Sequence, residues 1–157
     1  MLLPFFQWCE TTALGQIIRD SQWLFPVIES VHLIALAAIG GAVLVVDLRM
    51  LGAGIRRRSV AEVAREAHPW LIASLVVMIV TGVSLFLSEA VKCYYSQAFW
   101  VKMTTLPVAI LFALTVRRRV AAADDRQIPP LARGAVAVVS LALWFTVAAA
   151  GRWIGFS

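Results

Sequence analysis

Apolar residues fill four long unbroken stretches of this chain, near 24–50, 69–89, 98–117 and 131–154, and polar residues gather between them. A helix rises ~1.5 Å per residue, so about 20 residues cross the ~30 Å hydrocarbon core of a bilayer. Barrel strands would alternate apolar and polar positions, and these runs do not. Only helices or closed barrels satisfy their own backbone hydrogen bonds in lipid. The pattern therefore predicts an all-α fold, a four-helix transmembrane bundle forming a single membrane domain over 1–157. Small pairs, Ala37/Gly41 and Ala38/Ala42, would let neighbouring helices approach closely.

The pattern changes ahead of the first span. In residues 1–20, Phe5, Phe6, Cys9, Ala13, Leu14 and Ile17 recur at helical spacing after Pro4, which suits a helix start. Glu10, Gln16, Arg19 and Asp20 fall elsewhere on that helix, and together they predict an amphipathic helix on the outer membrane surface. Met1-Leu2-Leu3-Pro4 lacks the basic start of a cleavable signal, so none is expected. The segment AEVAREA, residues 61–67, forms either a short helix or an extension of the second span, and Pro107 predicts a kink in the third.

Composition agrees with a bilayer rather than water as the surroundings. The chain is 61% hydrophobic and 15% charged, where soluble domains carry about 25% charged residues. The net charge of +5 suggests nucleic acid at first sight. Its distribution says otherwise. Ten of the 14 basic residues fall beside the spans: Arg49, Arg56, Arg57, Arg58 and Arg65, then Arg117, Arg118, Arg119, Arg126 and Arg133. Arginines clustered there are the positive-inside signal, and no basic face with interleaved aromatics suggests nucleic-acid binding. The 51–67 and 118–130 connections are thus expected in the cytoplasm, with both termini and the 90–97 connection outside. Trp23, Trp100, Trp153, Tyr94 and Tyr95 would form the outer aromatic belt, and Trp70 the inner anchor.

Candidate chemistry is sparse. Glu29 and His32 lie one turn apart inside the first span, where ionisable side chains are expensive and mark sites. Helical phase puts Glu29, Leu36, Gly40, Val43 and Asp47 on one face, predicted to point inward, with His32 at its edge. Taking Leu48, Pro69, Arg117 and Arg133 as the inner level, His32 stands roughly 24 Å above it. Leu85, Val101 and Ala149 fall at a similar height, which brings Glu29, Ser84, Ser88, Glu89, Trp100, Lys102 and Arg152 to one outer layer. Two readings of that layer are open. Glu29 can pair with Lys102 or Arg152 in structural ion pairs that close the bundle. Alternatively His32 ligates the iron of a b-type haem, with Lys102 and Arg152 near its propionates. His68, the other of two histidines, lies more than ~20 Å lower, so a bis-histidine haem is excluded. The opposite axial position would fall to Lys102, a methionine or nothing.

A single Glu29-x-x-His32 is too little for a di-iron site, which uses that motif twice with further glutamates. Cys9 and Cys93 both fall on the expected outer side, where a disulfide could pin the N-terminal segment over the 90–97 loop. Phosphate-loop, zinc-protease and serine-hydrolase signatures are absent from the sequence. Asp124-Asp125 before Pro129-Pro130 reads as a solvated turn.

ESVHLIALAAIGGAVLVVDLRMLG, EAVKCYYSQAFWVKM and the closing GRWIGF together resemble a bacterial family of small four-span inner-membrane proteins of unknown function, over essentially the whole chain. A more distant similarity runs to CopD-type copper-resistance and HemJ-type protoporphyrinogen-oxidase membrane proteins. It rests on a membrane histidine before a small-residue run (His32 to Gly41) and on Trp100 to Lys102 at a span entry. HemJ-like proteins imply b-haem and a periplasm-side redox role, and CopD-like proteins imply copper handling. The expectation is a non-enzymatic accessory or scaffolding subunit, embedded in the bacterial inner membrane within a larger complex or a homo-oligomer. The alternative is a b-haem redox protein using His32. A proton-coupled carrier is the weakest reading, because four helices leave little room for alternating access.

Overall fold

The computed structural model describes residues 2–53, 57–123 and 128–155. Arg56, Asp124, Asp125, Arg126 and Phe156, used in the sequence reading, lie outside them. In chain order the helices are α1 (Leu3–Glu10), α2 (Ala13–Asp20), α3 (Leu24–Met50), α4 (Val60–Ser88), α5 (Ala90–Tyr95) and α6 (Gln97–Phe112). A π-helical segment (Ala113–Arg117) continues α6 into α7 (Arg118–Ala122), and α8 (Pro130–Ile154) follows. Four stretches are long and apolar enough to cross a membrane: Leu24–Met50, Val60–Ser88, Gln97–Ala122 and Pro130–Ile154. This is an all-helical, multi-pass membrane protein.

Local chemistry explains where the helices stop. After Met50 the chain turns at Gly52, whose φ of 80° suits a residue without a Cβ. The Gly52 and Ala53 amides donate to the carbonyls of Arg49 and Leu48, closing the α3 end. At the start of α4, the Glu62 amide donates to Ser59 Oγ and the Ser59 amide to Glu62 Oε2. This reciprocal cap starts the helix at Val60, well before residue 69. AEVAREA therefore extends the second span, and His68 and Pro69 sit inside α4 rather than at its start. The third span likewise runs past 117 to Ala122. Helix α6 continues through Pro107, and the departure from α geometry comes at 113–117.

Helices α3 and α4 pack most extensively, followed by α6 and α8. Their shared core contains Ala35, Ile39, Val43, Leu75, Met78, Ala109, Trp144 and Val147. Large apolar side chains such as Ile34, Val80, Leu111 and Phe145 point outward, as lipid-facing surfaces require. The inward face of α3 differs from its expected position. His32, Ala35, Ile39, Val43, Val46, Asp47 and Met50 are buried, whereas Glu29 and Gly40 are exposed. The stripe is centred on His32, about 60° around the helix from Glu29. Val43 and Asp47 are buried as expected, while Ile39 rather than Gly40 faces the core.

The first twenty residues form two short helices rather than one. Thr12 breaks them apart: its hydroxyl donates to the Cys9 carbonyl and accepts from the Gly15 amide, starting α2. Gly15 is required by close approach, since a Cβ there would lie 2.4 Å from the Leu87 carbonyl oxygen. Phe6 and Cys9 of α1 bury themselves against Phe86, Ala90, Cys93 and Phe99. Phe6 lies edge-on to Phe86, Tyr94 and Phe99, with centroids 5.2–6.2 Å apart. Glu10 extends this cap by accepting the Val91 amide at 2.8 Å, which satisfies the first turn of α5.

Candidate functional site

A cavity of about 430 Å³ opens between α3, α4, α6 and α8 at the end of the bundle that carries α5. Glu29, His32, Glu89, Lys92, Lys102 and Arg152 line it, with an apolar wall that includes Leu33, Met78, Phe86, Phe99, Met103 and Leu106. Glu29, His32, Glu89, Lys102 and Arg152, set at one level by the depth count, all line this cavity. Ser84 and Ser88 turn their hydroxyls onto their own helix, at Val80 and Leu85, and Trp100 Nε1 donates to the Tyr94 carbonyl.

His32 is buried, and its orientation follows from a chain of hydrogen bonds. Thr81 Oγ1 donates to the Val77 carbonyl at 2.7 Å, with a longer contact to Met78. Its only proton is thereby used, so in the neutral ring His32 Nδ1 donates to Thr81 Oγ1 at 2.9 Å. Nε2 is left with its lone pair, toward the cavity, where Lys102 Nζ stands 3.5 Å away. A hydrogen bond on one ring nitrogen that fixes the other as an acceptor is how ligating imidazoles are held. Two glycines make the room. A Cβ on Gly82 would lie 3.2 Å from His32 Cε1, and one on Gly151 would lie 3.4 Å from Lys102 Nζ.

The expected ion pairs of Glu29 do not form among the described residues. Glu29 is exposed, and the acids near the cavity that do pair are Glu89 with Lys92 at 3.7 Å and Glu10 with Arg19 at 3.6 Å. Lys102 faces His32 instead of a carboxylate. Glu29 lines the cavity from an exposed position, while Lys102 Nζ turns to the imidazole.

Cys9 and Cys93 are free thiols buried in one aromatic cluster, so the fold gathers them without joining them. Cys93 lies outside the spans, where burial, helped by the Glu89 carboxylate, pushes its thiol up to about 11. Burial raises Cys9 as well.

At the opposite end, Asp47 and Arg117 form a buried pair that the sequence reading missed. Arg117 Nε donates to Asp47 Oδ1 at 2.7 Å and Nη2 to the Val43 carbonyl at 3.1 Å. Asp47 is 0% exposed and Arg117 5%. Arg117, like Arg133, was expected in a solvated connection, yet both are buried. Equal depth was the available signal, since Leu48 and Arg117 mark the same inner level. The π-helical turn that ends at Arg117 supplies the direction.

No curated protein and no solved structure matches this chain. The model of a family of unknown function does match, over residues 5–157. A match over nearly the whole chain, spans and cavity-lining residues included, places this membrane bundle in the DUF6644 family.

Proposed function

We propose that the outer cavity holds a b-type haem, with His32 Nε2 as its protein ligand. The observation that carries this reading is a buried imidazole fixed by Thr81, with its Nε2 lone pair turned to Lys102 at a cavity of about 430 Å³. The donor set suits a porphyrin better than a bare ion. Among the described residues, no three His, Cys, Asp or Glu side chains come together to hold a metal. A porphyrin brings its own four nitrogens and needs one imidazole from the protein.

Several lining residues then have roles. Lys102 and Arg152 put positive charge on the cavity wall, suited to carboxylate-bearing edges. Met78, Phe86 and Leu106 make the wall apolar and keep water out. Gly82 leaves space for the imidazole. Haem, when bound, would supply one-electron chemistry at its iron. The arginine distribution supports an inner-membrane protein whose haem site and termini face the periplasm.

Purified protein from haem-replete cells should show a Soret band that His32→Ala abolishes while helicity is retained. A colourless preparation that also fails to take up added haemin would overturn the reading. A second reading, an accessory subunit of a larger complex or homo-oligomer, is favoured by one observation. Ala37, Gly40 and Gly41 form an exposed small-residue face on α3, and a Cβ on either glycine would meet nothing within 4 Å. Gentle solubilisation should then yield an assembly that Gly41→Ile disrupts. A lone monomer under those conditions would exclude it.

A further inference from the structure

A second cavity, of about 340 Å³, lies at the other end of the bundle between α3, α4 and the π segment with α7. Alanines open it, Ala42 and Ala64 among them, because their short side chains leave the helices apart. Its polar lining is entirely basic among the described residues: Arg65, His68, Arg117 and Arg118. Arg65 and His68 lie three residues apart on α4, so they share a face, and Arg118 approaches from α7.

The nearby acids are absent from the lining, and Glu62 is close enough to Arg65 to interact with its charge. Glu62 caps α4 through Ser59, and Glu66 takes Arg58 Nη1 at 2.5–2.7 Å. Arg117 is tied to Asp47 and Val43, whereas Arg65 and Arg118 are exposed and form no ion pair among the described residues. Two guanidiniums on different helices, facing one cavity whose lining holds no carboxylate among the described residues, are arranged to grip an anion.

We infer that this cavity binds a phosphate-bearing anion at headgroup level, through Arg65, Arg118 and His68. Basic pockets between spans on the cytoplasmic side are where anionic lipid headgroups bind, and the apolar floor of Val46 and Leu71 suits such a neighbour. Free phosphate would present the same chemistry to the arginines.

The test uses the full chain in detergent, titrated in native mass spectrometry with phosphatidylglycerol, with phosphatidylcholine of the same acyl chains, and with inorganic phosphate. Phosphatidylglycerol should bind more tightly than phosphatidylcholine. Arg65→Gln with Arg118→Gln should weaken it by on the order of tenfold. Arg57→Gln with Arg119→Gln removes the same charge outside the cavity and should change binding less than twofold. Ala61→Leu keeps every charge but narrows the cavity, and should also weaken binding. Phosphatidylglycerol adducts that survive excess phosphate identify the lipid headgroup, and competition by phosphate identifies the free anion; both uphold the site. Equal losses from the two arginine pairs, or no preference for either anion over phosphatidylcholine, would overturn it.

Discussion

Removing the Asp47 carboxylate should be among the most damaging single changes in the bundle. Asp47→Ala leaves the Arg117 guanidinium 5% exposed with only the Val43 carbonyl, 3.1 Å away, as a partner. Breaking a buried pair in this way costs about 3–5 kcal/mol, because the remaining charge stays desolvated. Adding Arg117→Leu to Asp47→Ala removes the stranded charge as well, and should recover most of that loss. The signature is therefore an asymmetry: a severe single variant rescued by a second substitution 70 positions away. Reversible unfolding of the full chain in mixed micelles, followed by helicity against the denaturing detergent fraction, measures all corners of the cycle. A loss below about 1 kcal/mol for Asp47→Ala, as for an exposed pair, would refute the reasoning. So would a double variant as unstable as the sum of its singles.

Gly15→Ala should destabilise by about 1–3 kcal/mol, since its Cβ meets the backbone of Leu87 rather than a side chain that can move. Gly40→Ala, facing open space, should stay within about 0.5 kcal/mol in the same unfolding assay. With Cys9 replaced by serine, maleimide labelling of Cys93 should rise about tenfold per pH unit from pH 8 to 10. Its thiol is pushed up to about 11, so the reactive thiolate is scarce below that pH; a plateau under pH 9 would contradict the burial argument. Thr81→Val removes the acceptor that orients His32, and should weaken haemin binding about 10–100-fold in an absorbance titration. Gly82→Val should act in the same direction by pressing on His32 Cε1.

The number of spans, their helical nature and the layer shared by His32, Lys102 and Arg152 were all legible in the sequence. Each depends on quantities that run along the chain: apolar length against bilayer thickness, and rise per residue from a common level. Rotation about a helix axis was not legible. Glu29 was placed inward with Val43 and Asp47; those two are buried, but His32, Ala35 and Ile39 bury the neighbouring side and Glu29 stays exposed. In a chain apolar on every side, periodicity says little about which face meets protein and which meets lipid. The same limit hid Thr81, one of many hydroxyls that could bond to their own helix, until the fold set it beside His32. Arg117 reads as one more cytoplasmic arginine until a π turn and a facing aspartate draw it into the core. The chain alone determines that His32 is a histidine buried in a membrane, near a lysine and an arginine of equal depth. The tertiary structure decides that its Nε2 faces a cavity, because only packing sets which nitrogen Thr81 engages and that Lys102 turns to His32 rather than to Glu29.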